Sequence, residues 1–249
     1  MNRFQASLTH LALSILVATV IFVPIYFVWF PDTLFEGAGG RELFFLITSV
    51  DVVLGPLVTL VVFKSRKRGL KFDLAVIGIL QAAALAYGVS VLFESRPVFI
   101  VFVKDRFELV RASQVSRENL AKARSSQFAS TPLTGPKVVG ARVPKDVGES
   151  FDLMMSALGG VDVQSFPRYY VPYVEIRADA LARAESMEKL RKHNPEGGAR
   201  IDQLVASTGR PEGALRYLPM RAGKRDLSVV LDSRTGDVLR FAALKPWEY

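Results

Sequence analysis

The sequence contains no cysteine and only two histidines, and these absences exclude several classes of site. Without cysteine, the chain forms no disulfide and no thiolate metal site. His10 and His193 lie far apart, so neither a zinc site nor a histidine-based catalytic triad is expected. The Walker, dinucleotide, GxSxG and HExxH motifs are also missing. We therefore expect a protein that is not an enzyme and that uses no metal and no cofactor.

Apolar residues dominate what is present. Half of the 249 residues are hydrophobic, and the formal net charge is +8. The division along the chain is sharp, because residues 1–93 hold three long apolar runs, whereas residues 94–249 mix charged and apolar residues as a water-soluble domain does. The sequence therefore predicts a three-span transmembrane domain over 1–93 and a second domain over 94–249.

Each apolar run is long enough to cross a bilayer as a helix. The first, about 11–30, lacks a small-residue cleavage site and is longer than a signal peptide's apolar region, so it is predicted to be a retained span that Pro24 kinks. The second begins at Leu43 and is expected to kink at Gly55-Pro56. The third, about 73–93, begins at Asp73, a predicted N-cap.

The charges between the runs predict an orientation. Residues 31–42, a predicted tight turn, hold one cation and three acids. The next loop holds no acid and five cations, namely Lys64, Arg66, Lys67, Arg68 and Lys71. Because cations favour the cytoplasmic side, we expect a cytoplasmic amino terminus and, in a bacterium, a multi-pass inner-membrane protein whose carboxy-terminal domain is periplasmic. The same rule accounts for part of the positive charge, so no nucleic-acid partner is expected.

Polar residues in the second run are spaced by three, four and four, which predicts one helical face formed by Thr48, Asp51, Gly55 and Thr59. A charged Asp51 near mid-membrane is costly, so it needs a partner, hydration or a proton. One interpretation is a docking point for a partner helix or its amine. The other is an internal hydrogen bond to Gln81 or Tyr87 of the third run. Gln81 shares a face with Gly78 and Gly88, a pattern that permits close helix packing.

The second domain is predicted to be α+β with mostly antiparallel strands. Arg96 lies near its start and is expected to meet lipid phosphates or to cap the third helix. The predicted strands are 98–103, 106–111, 214–220, 226–231 and 237–244. The predicted helices are 116–124, 149–158, 178–192 and 201–208, with a loop over 130–149.

Three tyrosines cluster in FPRYYVPYVEI, where two prolines predict an extended, irregular surface segment. Clustered aromatic residues at a surface are typical of partner contacts, so Tyr169, Tyr170 and Tyr173 are candidates for a second contact site. The alternative is that these rings pack against the sheet.

A series of segments resembles one family along nearly the whole chain: FPDTLF, GGRELF, SVDVVLGPLVTLVVF, KFDLAVIGILQAAALAYGV, RPVFIVFVKDRFELV, YLPMRAGKRDLSVVLDSRTGDVL and LKPW. This pattern is similar to that of the TfpX/TfpZ-type type IV pilin accessory proteins. The resemblance implies a bacterial inner-membrane protein with three amino-terminal spans, a periplasmic domain and a role in producing or displaying the major pilin. Residues 116–212 carry it weakly, and specificity for one pilin is expected there.

Three hypotheses follow from the resemblance. The first is a non-enzymatic chaperone or assembly factor that binds type IV pilin before pilus assembly. The second is a structural or regulatory component that contacts platform or alignment proteins of the pilus machine. The third is a membrane enzyme that modifies pilin. The sequence does not specify whether the chain self-associates.

Overall fold

A computed structural model describes residues 2–31, 33–64 and 68–248. Three helices in it are long and apolar enough to cross a membrane: Arg3–Trp29, Gly40–Val62 and Leu70–Ser95, called the first, second and third spans. They confirm the three predicted apolar helices. Two of the five cations between the second and third spans, Arg66 and Lys67, lie outside the described residues.

Both predicted proline sites lie beside a wide helical turn. In the first span, Pro24 precedes a π-helical turn over Ile25–Trp29. In the second, a π-helical turn over Val50–Leu54 precedes Gly55-Pro56. Proline has no N–H to donate to the preceding turn. In the second span that turn is the π-helical one, so the helix there accommodates the loss by widening locally while remaining continuous.

The third span begins earlier than predicted, so the assignment of Asp73 as its N-cap is wrong. The helix starts at Leu70, and its N-cap is Gly69 with φ of 87°. Glycine adopts this left-handed conformation without steric cost, which allows the chain to turn directly into the helix. Asp73 instead lies in the first helical turn, where a negative charge favours the helix dipole.

Eight strands form one sheet in the order β4-β3-β1-β2-β6-β7-β8, and β5 pairs with β6. Their bounds are β1 Pro97–Val103, β2 Arg106–Arg111, β3 Lys137–Ala141, β4 Tyr170–Pro172, β5 Glu185–Ser186, β6 Leu215–Arg221, β7 Leu227–Asp232 and β8 Val238–Ala242. The β1–β3 and β2–β6 pairs are parallel and the other pairs are antiparallel. The α+β class with mostly antiparallel pairing is therefore confirmed.

Five α-helices follow the spans: α1 Arg117–Ala121, α2 Val147–Leu158, α3 Arg177–Arg183, α4 Met187–His193 and α5 Gly198–Thr208. The N-cap predicted at Ser116 is confirmed, because its side chain accepts a hydrogen bond from the Asn119 backbone N–H. The single helix predicted over 178–192 is wrong. Strand β5 interrupts it to pair with β6, and Ser186 then caps α4.

The loop predicted over 130–149 is also wrong in part, because it contains β3. This strand pairs with β1, from Phe99 opposite Lys137 to Phe102 opposite Gly140. Gly140 is required here by close packing, since a Cβ at this position would lie 2.2 Å from the Ile176 Cγ2. The glycine that suggested a loop is therefore part of a buried strand.

Buried side chains cover both faces of the sheet. One cluster, centred on Phe99, Val101 and Val110, includes Leu153 of α2. A neighbouring cluster joins Met187 and Leu190 of α4 and Ile201 of α5 to Leu215, Tyr217 and Val230 of the sheet. The third cluster includes Ile100, Phe102, Phe107, Leu218 and Leu227, and it extends into the membrane-spanning part of the chain.

That third cluster contains the loop between the first two spans. The loop, predicted only as a tight turn, holds a short helix, Leu34–Gly37, whose Leu34 is 1% exposed. The Gly37 carbonyl accepts hydrogen bonds from the Lys224 and Arg225 backbone N–H groups. Because the loop and the sheet share one core, they lie on the same side of the three spans.

Arg96 lies at the junction of the third span and β1 and is 2% exposed. Its Nη1 donates a hydrogen bond to the Phe93 carbonyl at 2.5 Å, and its guanidinium lies 3.6 Å from the centre of the Phe93 ring. The capping role expected for Arg96 is thus confirmed. Burial lowers the pKa of its guanidinium from its ordinary value.

Candidate intramembrane site

Asp51 lies in the π-helical turn of the second span and is 8% exposed. The Gln81 side-chain amide of the third span approaches it, with Nε2 3.5 Å from both the Asp51 Oδ1 and the Asp51 backbone oxygen. These distances are at the limit of a hydrogen bond. The predicted internal contact with Gln81 is therefore present but weak. Tyr87, the other candidate partner, is 73% exposed.

The first span contributes a residue that the sequence reasoning missed. The His10 Nδ1 lies 2.6 Å from the Thr59 Oγ1, and the Ser7 hydroxyl donates to the Pro56 carbonyl at 2.9 Å. Ser7, His10 and Ser14 are spaced by three and four, which is the spacing of one helical face. That spacing in an otherwise apolar helix was the available signal.

Gly55 allows these groups to approach each other. A Cβ at this position would lie 2.2 Å from the Gln81 Nε2 and 3.0 Å from the His10 Nε2. All three spans therefore bring polar side chains to one place, which we call the polar centre: His10, Asp51, Gly55, Thr59 and Gln81.

A cleft opens at the polar centre between the first and third spans. Its volume is about 220 Å³. Leu13, Ser14 and Val17 line it from the first span, and Gly78, Ala82 and Leu85 line it from the third, with His10, Asp51 and Gln81. No atom outside the helix backbone lies within 4 Å of a Cβ built at Gly78, so this wall is open. The cleft is thus mainly apolar with one carboxyl group in its lining.

Thr48 does not belong to the polar centre. It lines a different groove of about 430 Å³ between the first and second spans, with Ile15, Phe22, Phe44, Phe45 and Val52. Its hydroxyl donates to the Phe44 carbonyl at 2.8 Å. The predicted stripe assumed regular helical turns, whereas the π-helical turn adds a residue after Thr48 and rotates the following residues around the helix axis. The single face predicted from Thr48 to Thr59 is therefore wrong.

The three tyrosines are not an exposed cluster, so the predicted surface segment is wrong. Tyr169 and Tyr170 are each 4% exposed, and Tyr173 is half-buried. Tyr170 packs edge to face on Phe99 with ring centres 5.1 Å apart, and its hydroxyl donates to the Gln164 carbonyl. The Tyr173 hydroxyl donates to the Gly236 carbonyl at 2.7 Å. The alternative expectation, that these rings pack against the sheet, is confirmed. Buried aromatic rings stabilise a fold through their large apolar area.

Proteins with curated names match a large part of the chain. The fimbrial assembly protein of serogroup I from Dichelobacter nodosus is 32% identical over 188 residues, which are 73% of this chain and 72% of that protein. The fimbrial assembly protein of serogroup E1 from the same organism is 31% identical over the same shares. That of serogroups C1 and C2 is 34% identical over 117 residues, 46% of this chain and 88% of that protein. No family model and no solved structure matches the chain.

Proposed function

Because the chain belongs to the family of fimbrial assembly proteins, we propose that it is a non-enzymatic accessory protein of type IV pili that holds pilin in the bacterial inner membrane before assembly. The relatives' names support a role in fimbrial assembly. The TfpX/TfpZ-type resemblance supports the narrower role. It implies a partner with a long apolar membrane helix that bears an amine at its end.

The cleft at the polar centre is the observation that carries this proposal. It lies between the first and third spans, with Asp51 of the second in its lining, and is open beside Gly78, so a side chain of a further helix packed there can enter it from the lipid. An ionised aspartate at mid-membrane costs at least about 2.5 to 3.5 kcal/mol. The weak contact from Gln81 at 3.5 Å offsets only part of this cost. An amine on the entering helix would complete the neutralisation and favour the complex.

The loop's position supports the proposed orientation. The loop between the first two spans packs against the sheet, so both lie on one side of the membrane, and this loop is poor in cations. We propose that this side is the periplasm. The assembled domain would then meet the pilin head while the spans hold its helix.

Capture of pilin from cells tests the role of Asp51. Asp51→Asn keeps an oxygen acceptor for Gln81 and nearly the same volume but removes the charge, so we expect at least a tenfold loss of pilin co-purification, from about 1.4 kcal/mol or more of lost pairing. Thr48→Val in the separate groove is the matched control and should retain capture. Unchanged capture by abundant Asp51→Asn protein would exclude the docking role.

Blocking the cleft without touching the carboxylate gives a second test. Gly78→Leu projects into open space, so the protein should remain abundant and lose pilin capture. Gly88→Leu is the contrasting variant, because a Cβ there lies 2.4 Å from the Ile47 Cγ2 and the protein itself should be destabilised. Crosslinking to platform or alignment proteins instead of pilin would favour the machine-component hypothesis. A changed pilin mass in a deletion strain would favour a modifying enzyme.

A further inference from the structure

A cationic pocket lies in the soluble domain, apart from the polar centre. Its volume is about 320 Å³, and it lies around the ends of β3 and β4. Four cations line it, namely Arg124, Arg142, Lys145 and Arg168, against one acid, Glu149. Arg142 also pairs with Glu175 at 3.5 Å, but the lining still presents more donors than these two carboxylates can use, so the pocket is suited to an anion.

Two buried polar atoms of lining residues have no hydrogen-bond partner. Tyr169 is 4% exposed, and its hydroxyl has no partner among the described residues. The Arg168 Nε is buried and equally without a partner. Leaving such groups unpaired costs about 1 to 3 kcal/mol each, more where the group is charged. Both residues line the pocket, so it is formed in part by two residues that each carry an unsatisfied donor.

The size and net charge of the pocket indicate the class of ligand. Phosphate carries up to two charges and several acceptor oxygens, and arginine binds it with paired N–H groups. A pocket of about 320 Å³ also has the size of sites that hold small organic molecules. A phosphate group attached to a small organic molecule fits both features.

The position of the pocket argues against the surrounding lipids as the source of that phosphate. The chain leaves the third span at Ser95 and enters β1 at Pro97. Strand β3 runs parallel to β1, and its last residue, Ala141, pairs with Tyr170. The pocket therefore lies at the end of the strands opposite to their junction with the third span.

We propose that this pocket binds a phosphate group of a soluble molecule through Arg168, Tyr169 and the cations around them. The proposal is independent of the polar centre and of pilin capture. It assigns a second binding site to the protein, in the part of the chain where the resemblance is weakest.

Calorimetric titration of the full-length chain in an uncharged detergent tests the site. With inorganic phosphate and glycerol 3-phosphate at constant ionic strength, we expect saturable one-to-one binding. Arg168→Gln should weaken it at least about tenfold, and Tyr169→Phe, which removes only the hydroxyl, about threefold. Arg183→Gln, at an exposed arginine of α3 outside the pocket, should bind as the wild type does.

The controls make each outcome decisive. Lys145→Gln, at an exposed residue of the pocket, should also weaken binding, so the test remains valid if Arg168→Gln does not fold. Absence of saturable binding, or an equal loss in Arg183→Gln, would overturn the proposal. In nanodiscs, the affinity for glycerol 3-phosphate should be the same whether the lipid is phosphatidylcholine or contains phosphatidylglycerol. Competition by that lipid would overturn the assignment to a soluble ligand.

Discussion

The spans and the sheet use apolar residues in opposite ways. In the most apolar window of each span, only 11%, 28% and 11% of residues are buried inside the chain, whereas every residue of β1 and β7 is buried. The spans keep their polar contacts inside and leave apolar side chains to face lipid. Lipid tails are as apolar as these side chains, so burying them inside the protein gains no hydrophobic free energy. Packing inside the protein therefore stabilises the sheet domain much more than it stabilises the spans.

Two phenylalanines test this comparison with the largest expected effect. Phe107 in β2 is 0% exposed, and Phe107→Ala should lower the free energy of unfolding by about 3 to 5 kcal/mol because it leaves a cavity. Phe27 in the first span is 69% exposed, and Phe27→Ala should change it little in detergent. Thermal unfolding of the purified variants measures both. Equal losses would contradict the contrast between the two regions.

The junction of the two regions should behave like the sheet. Leu34 is 1% exposed in the shared cluster, so Leu34→Ala should cost about 2 to 5 kcal/mol. Leu46 of the second span, 67% exposed, supplies the control Leu46→Ala. The same unfolding measurement applies. If Leu34→Ala unfolded at the same temperature as the wild type, the loop would not be part of the core.

Within the spans, two glycines distinguish the polar centre from the cleft. Gly55→Ala places a methyl group against Gln81 and His10 and should cost about 1 to 3 kcal/mol by overpacking. Gly78→Ala faces open space and should be neutral or slightly stabilising, because alanine favours helix over glycine. Melting temperatures of the two variants in the same detergent decide this. Similar values for both variants would mean that the polar centre is not closely packed.

The smallest effect should come from an acid in the sheet. Burial raises the pKa of Glu108 to about 7, although Arg221 and Arg106 act in the opposite direction. The native state then binds more protons than the unfolded state between about pH 4.5 and 7, so this residue makes stability fall as pH rises through that range. Glu108→Gln should melt with a weaker pH dependence there. An unaltered pH profile would show that Glu108 titrates normally.

The sequence predicted the elements that local patterns determine. Apolar runs of sufficient length located the spans, and the Val-, Ile- and Phe-rich segments around a short charged turn located β1 and β2. Strand β3 was missed because its pairing with β1 is remote in sequence and prolines and glycines surround it. The break between α3 and α4 was missed for a similar reason, since β5 forms only by pairing with β6.

The candidate site was predicted only in part. Spacing correctly brought Asp51, Gly55 and Thr59 together and named Gln81 as a partner for Asp51. It failed for Thr48, because the π-helical turn before Gly55-Pro56 changes the phase of the helix, whereas the sequence predicted only a kink there. His10 was missed because its contact with Thr59 depends on how two spans pack.

The hydrogen bonds from Lys224 and Arg225 to the Gly37 carbonyl also impose an order on biogenesis. Gly37 follows the first span, whereas Leu227, whose side chain packs against it, is synthesised near the end of the chain. Leu34 and Phe35 are therefore covered only after the chain as far as β7 has been synthesised. This core is thus completed only near the end of synthesis, and a chain truncated before β7 would expose an unfinished apolar surface to the cell's quality control.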